Sequence, residues 1–333
     1  MMTAGPPNAE TEQMNAEEGD AGSGASPQPT MSEAEFRALH QHLRSQLPWD
    51  AADRRGALNY LTPADVLAAL GEVRLGRSVS LAAPVENRMA ADNPHPAVHQ
   101  MTATAATADP SGLSFATDRI AMNVHGNADS HIDALCHVMF DRSLYNDVPA
   151  DQVTENGAGS LSIDIARHGI AGRGVLLDIP AVRGAPWLEP GDYVTVGDLL
   201  AAEQRQQVRF GRGDLLFVRV GHRRRRDEQG PWDAAAARAG LHPTAMPLLA
   251  ERQIAVLGSD GNSDTASSAV QGVDFPVHVL AINALGLHLL DYLQFEDLLP
   301  LCLDGGRWAF LCVIAPLRLP TSTGSPVNPI AII

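Results

Sequence analysis

Ile254-Ala255-Val256-Leu257-Gly258-Ser259-Asp260-Gly261-Asn262-Ser263-Asp264 sets an apolar run directly against a loop of glycine, acid and amide. The run at 254–258 has the length and β-branched content of a buried strand. A strand that empties into a Gly- and Asp-rich loop is where α/β proteins place functional groups, although a plain polar turn has the same composition. The loop lacks the alternate oxygens, central glycine and closing glutamate of a calcium hand. Further on, residues 275–284 read as a helix. If it runs over 277–285 and stops at Gly286, residues 287–291 return as a strand. Eight helical residues rise about 12 Å and four to five strand residues span about 13–16 Å, so His278 and Asp291 are expected side by side. A capping histidine and a surface aspartate are the alternative.

Working outward, the same alternation continues. Strands are expected at 78–82, 119–124, 174–178 and 215–220, with 308–314 closing the sheet, and helices at 196–203 and 243–252. Ser32 with Glu35 forms a capping box ahead of Phe36, Leu39 and Leu43. Thr62-Pro63-Ala64-Asp65 opens a second helix carrying Val66, Leu67 and Leu70. There is no internal repeat and no proline-rich linker, so residues 32–333 are read as one mixed α/β domain. Residues 1–31 carry Glu10, Glu12, Glu17, Glu18 and Asp20 with no basic residue, and are expected to be a disordered acidic tail.

Composition limits the function. The 333 residues are 45% hydrophobic, enough for a large core, and carry a formal charge of −15. That charge argues against nucleic acid or an anionic membrane as partner. All 24 basic residues are arginine, so lysine Schiff-base chemistry is ruled out. Three scattered cysteines, Cys136, Cys302 and Cys312, form neither a disulfide framework nor a thiolate cage. With no apolar run long enough to span a bilayer and no signal-peptide pattern, a soluble cytoplasmic setting is expected.

The chemistry concentrates in Val124-His125-Gly126-Asn127-Ala128-Asp129-Ser130-His131-Ile132-Asp133-Ala134-Leu135-Cys136-His137. His131 and Asp133, two apart, share one side of an extended segment. Imidazole with carboxylate suits zinc or manganese, and His125 would make a third ligand while leaving a position open. His137, four residues past Asp133, is placed to act as base or acid beside the metal.

These residues resemble the signature of the cyclase-like metal-dependent hydrolases, a family that includes bacterial kynurenine formamidase, isatin hydrolase and trans-dienelactone hydrolase. The resemblance extends through Gly56-Ala57-Leu58-Asn59-Tyr60-Leu61-Thr62-Pro63, Gly172–Asp178, Gly213–Arg219, Gly240-Leu241-His242-Pro243, Ser259-Asp260, Pro276-Val277-His278, Ala315-Pro316-Leu317 and Thr323–Pro329. It implies an α/β fold of the swivelling β/β/α type with one mixed sheet and peripheral helices. It also implies metal ligands at His131 and Asp133, a catalytic His137, and second-site ligands at His278 and Asp291, holding one or two Zn or Mn ions. Two departures stand out. The commoner pattern has its first histidine at position 127, which is Asn127 here, with His125 the nearest candidate; the second-site acid is usually glutamate.

The implied activity is hydrolysis of an amide, lactam or lactone in a small cyclic or aromatic molecule. Metal-activated water is the attacking group and His137 the proton carrier. The alternatives are a lactone hydrolase or ring-forming cyclase of secondary metabolism, and a metal-binding protein without catalysis. The family also implies a homodimer or homotetramer. Other features read more plainly. Arg223–Arg226 is expected to be an exposed loop, with a clamp for a substrate carboxylate as the alternative. His95 and His99 lie in a loop at 89–101 that, with residues 183–187, is expected to set substrate choice. The apolar C-terminus, 327–333, suits packing on a neighbouring subunit.

Overall fold

Runs of valine and leucine at 175–177, 215–218 and 256–257 form the centre of a nine-stranded mixed sheet. The computed structural model describes residues 1–2 and 31–333, so the expected acidic tail lies almost wholly outside the described residues. In chain order the strands are β1 (Ser78–Ser80), β2 (His131–Asp133), β3 (Ile170–Asp178), β4 (Leu215–Arg219), β5 (Val256–Ser259), β6 (His288–Asp291), β7 (Ala309–Ile314), β8 (Gly324–Pro326) and β9 (Ile330–Ile332). Their order across the sheet is β1-β9-β7-β3-β4-β5-β6-β2-β8. The middle four, β3-β4-β5-β6, are parallel, and every pairing outside them is antiparallel. Parallel strands are covered on both faces, which explains why β3, β4 and β5 read as unbroken apolar runs. Helices at Val196–Gln206 and Met246–Glu251 lie in the connections between them.

Both expected helix starts form. Ser32 and Glu35 close a capping box on Glu33–Ser45, and Thr62 and Asp65 do so on Pro63–Ala69. The segment after the polar loop is helical over Pro276–His278 and continues as a π-helix over Val279–Ala284. Gly286 ends it at φ +63°, where it meets Gly56 at φ +56° backbone to backbone. A Cβ on Gly56 would sit 2.1 Å from the Gly286 carbonyl oxygen, so neither position has room for a side chain.

Several expectations are corrected. Residues 308–314 do not close the sheet: β7 lies between β3 and β9. Of the C-terminal residues, Ile330–Ile332 form β9 inside the sheet, paired with both β1 and β7 of the same chain, so the apolar terminus is already partnered there by its own fold. The expected strand at 119–124 lies outside the main sheet, as Thr117–Ala121 in an exposed hairpin with Val98–Ala103. Arg223–Arg226 is helical, within His222–Gln229, and Arg223 is buried because its guanidinium donates to the carbonyls of Ala128, Tyr292 and Leu293. No helix among the described residues is long and apolar enough to cross a membrane.

Candidate metal centre

The antiparallel end of the sheet positions the motif. β2 is clamped between β6 and β8, with Asp291 opposite His131 and Gly324 opposite Asp133. Directly opposed residues share a face, so His131, Asp133 and Asp291 emerge on one side while Ile132 is buried on the other. Gly324 is required here: an added Cβ would lie 2.6 Å from the Ile132 carbonyl oxygen and 2.8 Å from His125 Cε1.

Asp133 is the hub. Its side chain is fully buried, and neither carboxylate oxygen has an aligned hydrogen-bond donor. His125 Nδ1 approaches Oδ1 at 2.9 Å, His131 Nε2 lies 3.7 Å from the same oxygen, and His278 Nε2 is 3.4 Å from Oδ2. The ring of His137 stacks on His125 with centroids 3.7 Å apart. Ligand atoms of His125, Asp133 and His137 lie within 4.8 Å of one another. The structure therefore gathers all six predicted residues, and His137 lies near enough to His125 and Asp133 to share an ion with them.

His278 meets three carboxylates. Nε2 lies 3.4 Å from Asp133 Oδ2 and 3.4 Å from Asp291 Oδ2, while Nδ1 bonds Asp264 Oδ2 at 2.6 Å. Asp264 also accepts the backbone N–H groups of Val277 and His278, so one side chain fixes both the helix start and the imidazole. Asp291 is held in turn by Asn262 Nδ2 at 2.6 Å and Ser263 Oγ at 2.7 Å. His131 is turned by Nδ1 against the Asp129 carbonyl, and His125 Nε2 lies 3.0 Å from Thr323 Oγ1. Such outer partners set which ring nitrogen faces a cation. Asp264, Asn262 and Ser263 belong to the polar loop that follows the strand at 254–258. Thr323 begins the Thr323–Pro329 segment of the resemblance, but nothing in its own spacing marks it as a partner of His125.

Burial penalises the Asp133 anion, but the imidazoles of His137, His125, His278 and His131 outweigh it and hold the acid well below its ordinary range. Burial lowers His278, yet the nearby carboxylates of Asp133, Asp264 and Asp291 win and raise it well above the usual value. His137 is pushed down to about 4, chiefly by burial, so it is neutral at pH 7. Cys136, beside it, is buried and pushed up to about 11, so it stays a protonated thiol at pH 7. A buried carboxylate without aligned donors, ringed by nitrogen ligands, fits a divalent cation of the zinc or manganese type.

The site floors a cleft of about 580 Å³. Its walls are Val138, Met139, Phe140, Val273, Phe275 and Val279, with Asn127 and Asn262 among the polar lining. Neither the loop at 89–101 nor residues 183–187 lines it, contrary to the sequence expectation, because 89–101 leads into the outer hairpin. No arginine faces the cleft among the described residues, and Arg223 is occupied by carbonyls, so the carboxylate clamp is absent.

Comparison with known proteins gives a consistent picture. The profile of the Cyclase family matches residues 79–264. A crystal structure described as a novel cyclase is 30% identical, with TM-score 0.78, covering 88% of this chain and 99% of that one. Isatin hydrolase A from Labrenzia aggregata, bound to benzyl benzoate, is 20% identical with TM-score 0.56, covering 82% of this chain and 99% of its own. Isatin hydrolase A from Ralstonia solanacearum is 24% identical with TM-score 0.55, covering 81% and 97%. At those identities the likeness to the isatin hydrolases is one of fold. No curated protein matches the chain.

Proposed function

The chain belongs to the Cyclase family, and from that premise we propose that it is a metal-dependent hydrolase opening an amide, lactam or lactone bond in a small cyclic or aromatic molecule. The observation that carries the reading is Asp133, a fully buried carboxylate with no aligned donor, surrounded by His125, His131, His137 and His278 at the floor of the cleft. Burying a carboxylate that has no aligned hydrogen-bond donor is costly, and a cation among the same imidazoles offsets that cost. His125, His131 and Asp133 would hold a Zn or Mn ion, with His278 and Asp291 placed for a second. When bound, such an ion lowers the pKa of water and polarises a carbonyl.

The rest falls to the protein's own groups. A neutral imidazole nitrogen of His137 takes the proton of the attacking water and returns it to the departing amine or alkoxide. Asp264 keeps His278 Nε2 turned toward the two carboxylates. Phe140, Phe275 and the aliphatic wall exclude water and accept an aromatic ring. We also read the chain as a homodimer or homotetramer. Support comes from the outer hairpin, which exposes Val98, Met101, Leu113, Phe115 and Ile120; light scattering measures it.

The direct test is a hydrolysis screen of formanilides, lactams including isatin, and aromatic lactones. Turnover of one class, abolished by a chelator and restored by Zn or Mn, is the expected result. Turnover that survives complete metal removal, or none across the panel with metal bound, overturns the proposal.

A further inference from the structure

Tyr292 follows Asp291 and is fully buried, its ring 6.2 Å from that of His131 and 5.2 Å from that of His222. Its hydroxyl has one hydrogen-bond partner among the described residues, Asn127 Oδ1 at 2.9 Å. A buried phenolic O–H needs an acceptor. The amide oxygen supplies one; a reversed amide would donate to the phenolic oxygen instead and leave the buried phenolic proton unpaired. Tyr292 therefore decides which end of the amide is free. Asn127 lines the cleft with His131 and His137, and its Nδ2 donates to no protein group among the described residues.

We infer that Asn127 is a substrate-binding hydrogen-bond donor: with Oδ1 held by Tyr292, Nδ2 offers its protons to the carbonyl oxygen of the molecule in the cleft. The inference rests on the hydrolase reading and adds a contact that reading does not require. As the water oxygen bonds to the carbonyl carbon, the C=O π pair moves onto the oxygen facing Nδ2, and the water proton passes to His137. When the C=O reforms, the bond to nitrogen or oxygen breaks and His137 returns the proton to the leaving atom. A donor placed at that oxygen binds it more strongly as it gains charge, so its effect falls mainly on kcat. Tyr292 is a positioning residue: it never touches the substrate but fixes the amide. This gives position 127, where the commoner family pattern has histidine, a function other than ligation.

The test uses the zinc-loaded full chain, with kcat and KM measured on whichever panel member is cleaved and the Asn127 side-chain amide followed by nitrogen-15 NMR during titration with oxindole, an aromatic lactam. Asn127→Asp replaces the donor with an acceptor and is expected to lower kcat about 100-fold with zinc content unchanged. Tyr292→Phe is expected to lower kcat about tenfold and to disturb the Asn127 amide signals. Oxindole is expected to shift those signals in the parent chain.

Wild-type kcat in Asn127→Asp, or oxindole binding that leaves the Asn127 amide unmoved, overturns the inference while the hydrolase reading stands. Loss of zinc in a folded Asn127→Leu, which removes both side-chain donor atoms, makes the residue a ligand and overturns it too. Failure of every panel member to be cleaved or bound removes the hydrolase reading, and the inference with it.

Discussion

Across β3, β4 and β5 the fully buried apolar side chains are Val175, Leu176, Leu177, Leu215, Leu216, Phe217, Val218, Val256 and Leu257. Across β6, β2 and β8, at one end of the same sheet, the buried set includes His131, Asp133, Asp291 and Ser325. The central strands gain stability by removing apolar surface from water, roughly 25 cal/mol per Å². The end strands bury ionisable groups, which costs stability unless the charges are paired or metal-bound. One sheet thus divides the work: parallel strands supply a rigid frame, and a short antiparallel edge carries the chemistry.

That contrast can be broken in several ways. Leu216→Ala, in the frame, is expected to destabilise the chain by about 2–5 kcal/mol in denaturant titration while metal content stays constant; a loss of bound metal in the folded variant would erase the division. His137→Ala, at the edge, should do the reverse, costing at least about 100-fold in rate with metal retained. Asp264→Asn leaves the helix start one acceptor but loosens His278, and about tenfold weaker metal binding is expected by competition with a chromophoric chelator. The smallest effect concerns pH. His137 is neutral above about 4, and a nearby cation pushes it lower still, so kcat/KM should show no limb from this group between about pH 6 and 8. Protonation below that range removes the base, so the rate falls on the acid side; a limb near pH 6.5 that vanishes in His137→Gln would contradict the assignment.

The frame and the edge also differ in how legible they are in the sequence. Strands doubly buried by helices must be continuously apolar, so 174–178, 215–220 and 254–258 stand out. β2 is three residues long and two of them are His131 and Asp133, so no propensity marks it as a strand; it is visible only as ligand spacing. The side-by-side placement of His278 and Asp291 follows from helix rise against strand length, because Gly286 reverses the chain where the argument requires. Asp264 is fourteen residues from His278 in sequence, and nothing local ties them. The cleft walls at 138–140 and 273–279 adjoin motif residues but carry no periodicity of their own. Their role comes from the fold, which turns both segments toward Asp133. β9 misleads for a related reason: an apolar terminus fits a neighbour's surface or its own sheet edge equally well until the pairing partners are known.

The central claim is that Asp133 exists to hold a cation, and metal stoichiometry tests it most directly. Elemental analysis after dialysis against Zn or Mn, compared between the parent chain and Asp133→Ala, is predicted to find at least one ion per parent chain and none in the variant. Equal metal-to-protein ratios in the two, with both folded, would contradict the account.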